Sequence, residues 1–364
     1  MKFTCAKADL STAIGIVARA ASKMQKSILE CIYFNCEDGK ITLKATDIAI
    51  SIKTEVIADI EEEGVMAVPA RLLNEVVNRF PDGDISFYCQ DDNSVNISCM
   101  NSDAKIQLMN SDEFPEFPEV EKNETVKIAQ NTLRRMISQT LFAAATTEEK
   151  PILTGLLFDI DGASLTVVGL DGYRMSVRGE TVISDIKRSC VIPARTLREV
   201  SRIVDDTDDT VKMAISDTMA LFETEDTQIY TRLLEGQFVN YRNLIPKECT
   251  TNMKVEVELL LDSVARASIM ATDVNNKITF TISEKELTVV SNSEMGEIKD
   301  VIPVLTEGED LKIAFNAKYV HDILASVDDD VISMRFGTKL SPCVVKKDGE
   351  HSYEYLILPV QIRE

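Results

Sequence analysis

The chain has 364 residues, 45% of them hydrophobic, and a formal net charge of −21. At roughly 100–200 residues per domain this length predicts two or three domains, and with no basic-then-apolar leader and no run of about 18 apolar residues it reads as cytoplasmic, neither secreted nor membrane-spanning. Such acidity argues against a nucleic-acid partner, since duplex DNA carries a phosphate charge about every 1.7 Å of axis, unless the basic residues are gathered in one place.

In chain order, MKFTCA (1–6) reads as a short strand, and a helix over 7–24 carries Leu10, Ile14, Val17 and Ala21 on one stripe with Arg19 and Lys23 opposite. ITLKATDIAISIK (41–53) alternates as strand, VPARLLNEVV opens a helix over 70–80, and NSVNISCM (93–100) alternates again. Over 130–147, Leu133, Met136, Ile137, Thr140, Leu141 and Ala144 fall at i, i+3, i+4, i+7, i+8 and i+11, a helix with one apolar face. LTVVGLDGYRMSVR (165–178) reads as strand, helices follow over 194–204, 257–271 and 317–327, and YEYLILPV (353–360) closes the chain with both alternating faces apolar. Tyr353, Tyr355 and Ile357 lie on one of those faces, Leu356 and Leu358 on the other, which suits a terminal strand with a core on one side and a covered groove on the other; a strand buried on both sides is the plainer alternative.

The elements recur with a period of one third of the chain. Pro69-Ala70-Arg71 returns as Pro193-Ala194-Arg195, and Asn316-Ala317-Lys318 is a fainter third copy. KSILECIYFN (26–35) answers KPILTGLLFD (150–159), LTVVSNSEMGEIK (287–299) is a third version of the strands at 41–53 and 165–178, and DEFPEF (112–117) answers GQFVNY (236–241). Three homologous domains over 1–120, 121–247 and 248–364 follow. Each holds two helices packed on antiparallel sheets, so the class is α+β.

The charge divides by element type. The six predicted helices contain 12 Lys or Arg and 6 Asp or Glu; the remainder contains 27 and 54. On 194–204, Arg195, Arg198 and Arg202 stand at i, i+3 and i+7 away from Leu197, Val200 and Val204. If sheets hold every helix by its apolar stripe, the basic faces point away together. Ordinary solvated faces are the alternative for any single arginine. With a Debye length of about 8 Å at physiological salt, more distant acidic loops would be screened from a phosphate on the helices.

Enzymatic readings find little support. The chain has no GxxxxGK[ST], GxSxG or HExxH motif, and its two histidines, His321 and His351, cannot build a histidine-rich metal site. The runs at Asp205-Asp206, Asp208-Asp209 and Asp328-Asp329-Asp330 lack EF-hand spacing and read as solvated turns. Eight cysteines without CxxC spacing read as small core hydrophobes, leaving a thiol nucleophile with His321 as base the one weak enzymatic alternative. No cofactor and no metal are expected.

The opening MKFTCAKADL, the PAR segments, AATTEEKPILTG, LDGYRMSV and the ending YLILPVQI together resemble the bacterial β sliding clamp family, the processivity subunits of DNA polymerase III. The resemblance spans the chain and its repeat. It implies the DNA clamp fold and a head-to-tail homodimer whose crescent-shaped protomers close into a ring around duplex DNA, with the helices lining the hole. Lys23, Arg71 and Arg195 stand where family members place DNA-facing basic residues, and helix geometry adds Arg134, Arg135, Arg198 and Arg202. The third repeat is less basic, because Asp262 and Asp322 offset its cations.

The resemblance further implies a groove for short peptides of the polymerase III catalytic subunit, the clamp loader and repair proteins or polymerases. Carried over by position, it uses Leu153, Leu170, Gly172, Tyr173, Arg174, Met175, Val239, Leu244, Leu356, Leu358, Pro359 and Val360, with Tyr319, Leu340 and Pro342 at the rim. The matching dimer positions are Ile106 and Leu108 in the first domain and Ile269 and Met270 in the third, with Glu297 and Asp300 facing cations such as Lys105. Ile106 and Leu108 could instead be core. The tail departs from the family pattern, with Gln361 at a usual arginine and two extra residues, and Asn243 replaces a basic residue, which leaves peptide preference at the groove edges open. A ring-less peptide-binding scaffold of the same fold is the alternative function.

Overall fold

The computed structural model describes residues 1–21, 27–91, 93–122, 124–147, 149–271, 276–347 and 353–361. One order of elements occurs three times, the second copy lacking one short strand that the first and third have between the third hairpin strand and the strand leading into the second helix. The first copy runs β1 (Lys2–Ala6), α1 (Lys7–Val17), β2 (Cys31–Glu37), β3 (Lys40–Thr46), β4 (Ile50–Ile57), β5 (Asp59–Glu62), β6 (Gly64–Pro69), α2 (Ala70–Arg79), β7 (Asp84–Asp91), β8 (Ser94–Cys99) and β9 (Ser102–Gln107). The second runs β10 (Thr125–Ala129), α3 (Gln130–Leu141), β11 (Gly155–Asp161), β12 (Ser164–Leu170), β13 (Arg174–Thr181), β14 (Lys187–Pro193), α4 (Ala194–Ile203), β15 (Thr210–Ile215), β16 (Met219–Glu223) and β17 (Thr227–Arg232). The third runs β18 (Thr251–Glu256), α5 (Val257–Ser268), β19 (Lys277–Ile282), β20 (Glu286–Ser293), β21 (Gly296–Pro303), β22 (Leu305–Gly308), β23 (Leu311–Asn316), α6 (Ala317–Leu324), β24 (Val331–Phe336), β25 (Cys343–Lys347) and β26 (Tyr353–Ile357).

Two compact units result, one of Met1–Asn131 with Arg202–Leu233, the other of Thr132–Ser201 with the chain from Leu234 on. The first holds the sheets β5-β1-β7-β8-β9 and β10-β15-β16-β17-β4-β3-β2-β6; the second holds β14-β11-β12-β13-β26-β25-β24-β18-β22 and β21-β20-β19-β23. Main-chain pairing therefore stitches the repeats together: β17 pairs antiparallel with β4, and β26 with β13. Alternation carries the strands as expected, for instance in β3, where Ile41, Leu43 and Ala45 are fully buried between more exposed neighbours. Phe3 and Phe87 stack at 4.8 Å in the first unit, and Phe280, Phe315 and Phe336 anchor the core of the second.

The PAR and NAK segments each turn a strand into a helix. Pro69 ends β6 just before α2. In the fainter third copy Asn316 replaces the proline, and its side chain caps α6 by accepting the N–H groups of Lys318 (2.9 Å) and Tyr319 (3.4 Å). Helix lengths need correction, because every helix stops before the end its apolar pattern suggests. α1 ends at Val17 and gives way to a single 3₁₀ turn over Ala18–Ala20, so Arg19 lies beyond it and Lys23 falls outside the described residues. α3 stops at Leu141 rather than 147: Ala143 and Ala144 bond back only three residues, to Thr140 and Leu141, and the Phe142 carbonyl is taken by Arg174. Ala144 is buried without being helical.

Candidate functional site

A tight turn between β12 and β13 builds one wall of a groove in the second unit. Asp171 Oδ1 accepts the N–H groups of Tyr173 (2.8 Å) and Arg174 (3.0 Å), and Gly172 sits at φ 95°, a conformation glycine adopts without strain. Arg174 is only 8% exposed. Its Nε donates to Asp171 Oδ2 at 3.0 Å, Nη1 to Asp322 Oδ2 at 2.5 Å and Nη2 to the Phe142 carbonyl at 2.6 Å. The guanidinium also lies 4.5 Å from the Tyr319 ring centroid and 5.3 Å from that of Phe142, so aromatic contacts add to its three hydrogen bonds. Burial by itself would raise the Asp322 carboxyl, but hydrogen bonds from Arg174 and Lys318 outweigh it and hold the group below its ordinary value. Tyr173 and Tyr319 stack at 6.2 Å across this wall.

The floor comes from β13 and β26, whose pairing sets Met175 opposite Leu356. Tyr353, Tyr355 and Ile357 turn to the other side of β26 and enter the third-repeat core, while Leu356 joins Leu153, Leu170 and Met175 in a separate apolar cluster. Both faces of the strand are covered by apolar groups, as its double alternation implies. Beyond β26 the Leu358 N–H reaches the Tyr173 carbonyl (2.9 Å), Pro359 has no N–H to give, and the Val360 N–H reaches the Ala314 carbonyl (2.8 Å).

These elements enclose a cavity of about 260 Å³, lined by Leu153, Leu170, Gly172, Tyr173, Arg174, Met175, Val239, Leu244, Pro342, Leu356, Leu358 and Lys150. The floor is buried, whereas Val239, Leu244 and Leu358 on the rim are each about 40% exposed. Of the expected groove residues, Tyr319, Leu340, Pro359 and Val360 do not line the cavity, although Tyr319 supports it through Arg174. Sequence reasoning missed Lys150, which ends the AATTEEK segment, Asp171, which bonds Arg174 three residues on, and Asp322, whose role depends on a bond across 148 residues.

The basic residues lie on helix surfaces. Arg71, Arg134, Arg135, Arg195, Arg198 and Arg202 are exposed, while Leu73, Val77, Leu133, Met136, Ile137, Leu197 and Val200 are buried on the opposite faces of the same helices. At their observed lengths the six helices contain 10 Lys or Arg against 6 Asp or Glu, in a chain of net charge −21. The cations are not equivalent. Arg71 pairs with Glu75 (3.1 Å), and Arg135 with Asp328 (2.8 Å). Arg19 and Arg202 border an open trough of about 1140 Å³ in the first unit, together with Ser11, Thr12, Asn74 and Asn78 of α1 and α2.

Of the four residues expected at a dimer contact, Ile106 is 2% exposed and packs in the first-unit core opposite Val95, so it has little side-chain surface to offer a partner. Leu108 and Met270 are half-buried, and Ile269, which caps α5, is 67% exposed. Burial pushes the thiols of Cys5, Cys31, Cys36 and Cys190 up to about 12, and Cys343 is raised for the same reason, which removes the thiolate a nucleophile requires.

Comparison with known proteins matches consecutive stretches of the chain to three family descriptions: the N-terminal (1–118), central (127–240) and C-terminal (242–361) domains of the DNA polymerase III beta subunit. The chain is 31% identical over 390 residues to the beta sliding clamp of Synechocystis sp., covering all of both chains, and 27% identical to that of Bacillus subtilis, covering 99% of this chain and 100% of the relative. Among solved structures, a putative DNA polymerase III beta subunit from Eubacterium rectale superposes with a TM-score of 0.94 at 31% identity, and the Bacillus subtilis DNA polymerase sliding clamp with 0.95 at 28%, each covering all of both chains.

Proposed function

This chain belongs to the DNA polymerase III beta subunit family, and from that premise we propose that it closes with a second copy into a ring around duplex DNA and holds polymerase and repair partners by its apolar groove. It is a DNA polymerase sliding clamp, a non-catalytic processivity factor, and the ring-less scaffold is disfavoured by full-length likeness to clamps. We take the repeats over 1–120, 121–247 and 248–364 as its three domains.

The observation that carries the ring is the pattern of strand junctions. β4 of the first repeat takes β17 of the second, and β13 of the second takes the corresponding strand β26 of the third. This leaves β9 at one sheet edge and β21 at another, the two members of that series without a second strand neighbour among the described residues. A second copy running head to tail satisfies both edges at once and closes the assembly, with no further edge of the series to propagate a filament.

A closed ring retains DNA by topology, so tight phosphate contacts are unnecessary and base readout would hinder sliding. Arg71, Arg134, Arg135, Arg195, Arg198 and Arg202, with Lys23, supply the basic face; the internal ion pairs of Arg71 and Arg135 weaken their share. The groove has room for one or two large apolar side chains, each stabilising a bound peptide by about 1.5–3 kcal/mol. Such modest anchoring suits partners that must exchange: the polymerase III catalytic subunit, the clamp loader, and repair proteins or polymerases. A cytoplasmic location accompanies this role.

The test is retention on nicked circular duplex DNA after loading by the cognate clamp loader, measured before and after linearising the circle. Topological binding predicts that the protein stays on the circle and runs off cut ends; unchanged retention after cutting would refute encirclement.

A further inference from the structure

One carboxylate joins the basic helix surface to the groove wall. Asp322 Oδ2 accepts from Lys318 Nζ at 2.7 Å and from Arg174 Nη1 at 2.5 Å, so an outer and a buried cation share a single oxygen. Lys318 is the second residue of α6, and it stands in the third repeat where Arg71 and Arg195 stand in α2 and α4; all three are exposed. Each is followed four residues on by an acid, Glu75, Glu199 and Asp322 in turn. Glu75 is exposed, and its pairing with Arg71 stays within α2. Asp322 is half-buried and reaches across to Arg174, which lines the cavity.

Resting on the DNA and groove readings above, we propose that Asp322 couples the two sites: a DNA phosphate that draws Lys318 off Asp322 tightens the bond from Arg174 to Asp322 and so raises the affinity of the groove for peptides. Two donors on one oxygen divide its negative charge, and when the lysine leaves, Arg174 has that charge to itself. Lys318 can make the exchange, because its side chain is 63% exposed and ion pairs of this kind are weak. Arg174 cannot, since it is buried and remains bonded to Asp171 and the Phe142 carbonyl. The wall feels the change through α6 as well. Tyr319 of that helix lies against the Arg174 guanidinium and stacks on Tyr173, which lines the cavity. Drawing Arg174 towards α6 therefore fixes Tyr173 and the turn between β12 and β13 in the shape a peptide meets, and a preorganised site loses less freedom on binding. By linkage, a peptide in the groove favours the contact between Lys318 and phosphate by the same factor. Asp322, which in the sequence only offsets a cation of the third repeat, becomes the link between the two surfaces once α6 lies beside β13.

The experiment titrates a fluorescein-labelled peptide ending in Leu-Phe against full-length wild type and Lys318→Ala. Each is measured free and after loading on nicked circular duplex, with the loader removed by gel filtration. Wild type binds the peptide about two- to fivefold more tightly on DNA, as suits the exchange of one exposed lysine contact. Lys318→Ala has the higher affinity already when free and gains nothing on DNA. Wild-type affinity that is equal on and off the circle would overturn the coupling alone, as would an alanine variant that keeps the difference or that binds as weakly as free wild type. A wild type that is not retained on the circle, or that binds no peptide, would overturn the ring or the groove reading and the coupling with it.

Discussion

Replacing Arg174 by alanine tests whether the groove wall is held by one buried cation. The substitution removes three charge-assisted donors, to Asp171, Asp322 and the Phe142 carbonyl, and leaves two poorly hydrated carboxylates facing each other across an empty space. Breaking a buried pair of this kind costs about 3–5 kcal/mol. Lys318 still reaches Asp322 at 2.7 Å, which places the expectation near the lower figure. A loss of about 3 kcal/mol in a unit of this size lowers the melting transition by about 6–12 °C. Arg174→Lys should recover little, since one ammonium cannot span three acceptors in a plane. The Asp322 carboxyl is held below its ordinary value, so its share of the stabilisation is present above the unfolded carboxylate range and lost as pH falls through the folded value. The gap between wild type and variant therefore narrows below about pH 4. Calorimetry at neutral and acid pH reads both effects. A variant melting within about 1 °C of wild type at neutral pH would refute the reasoning.

Three other outcomes are expected. Replacing Arg195, Arg198 and Arg202 together by alanine should weaken DNA binding and lower the slope of log affinity against log salt by up to about 0.9 for each phosphate no longer neutralised, with peptide binding unchanged; loss of both activities would make α4 purely structural. Removing the last seven residues deletes the Leu358 and Val360 main-chain anchors along with a rim side chain, and should abolish capture of an apolar clamp-binding peptide in a titration while leaving the DNA-facing helices intact. Peptide binding that survives would contradict the groove assignment. Brief alkylation of folded protein near pH 8, followed by mass spectrometry, should mark the half-buried Cys89 and Cys249 and spare Cys5, Cys31, Cys36, Cys190 and Cys343; rapid modification of any of these five would mean that the core opens.

Local chemistry made much of the protein legible. A 3.6-residue period locates α3 and α4, but their ends depend on where carbonyls find other donors, as Phe142 does in Arg174, and no pattern of apolar residues reports that. The groove floor shows a similar division. The double alternation of YEYLILPV announces two covered faces, yet whether Leu356 meets Met175 is a matter of pairing between distant stretches of chain, visible only once β26 lies on β13.

The repeat, the α+β class and the basic helix faces were determined by sequence alone, because periodicity and charge placement are properties of neighbours along the chain. Tertiary structure decided which cations are tied up, as Arg135 is by Asp328, and that Arg174 is a buried strut rather than an open contact. It also decided which strand edges remain unsatisfied. Main-chain hydrogen bonding is indifferent to side-chain identity, so the residues of β9 and β21 do not announce that these are the edges left over; the other junctions have to form before the remainder can be known.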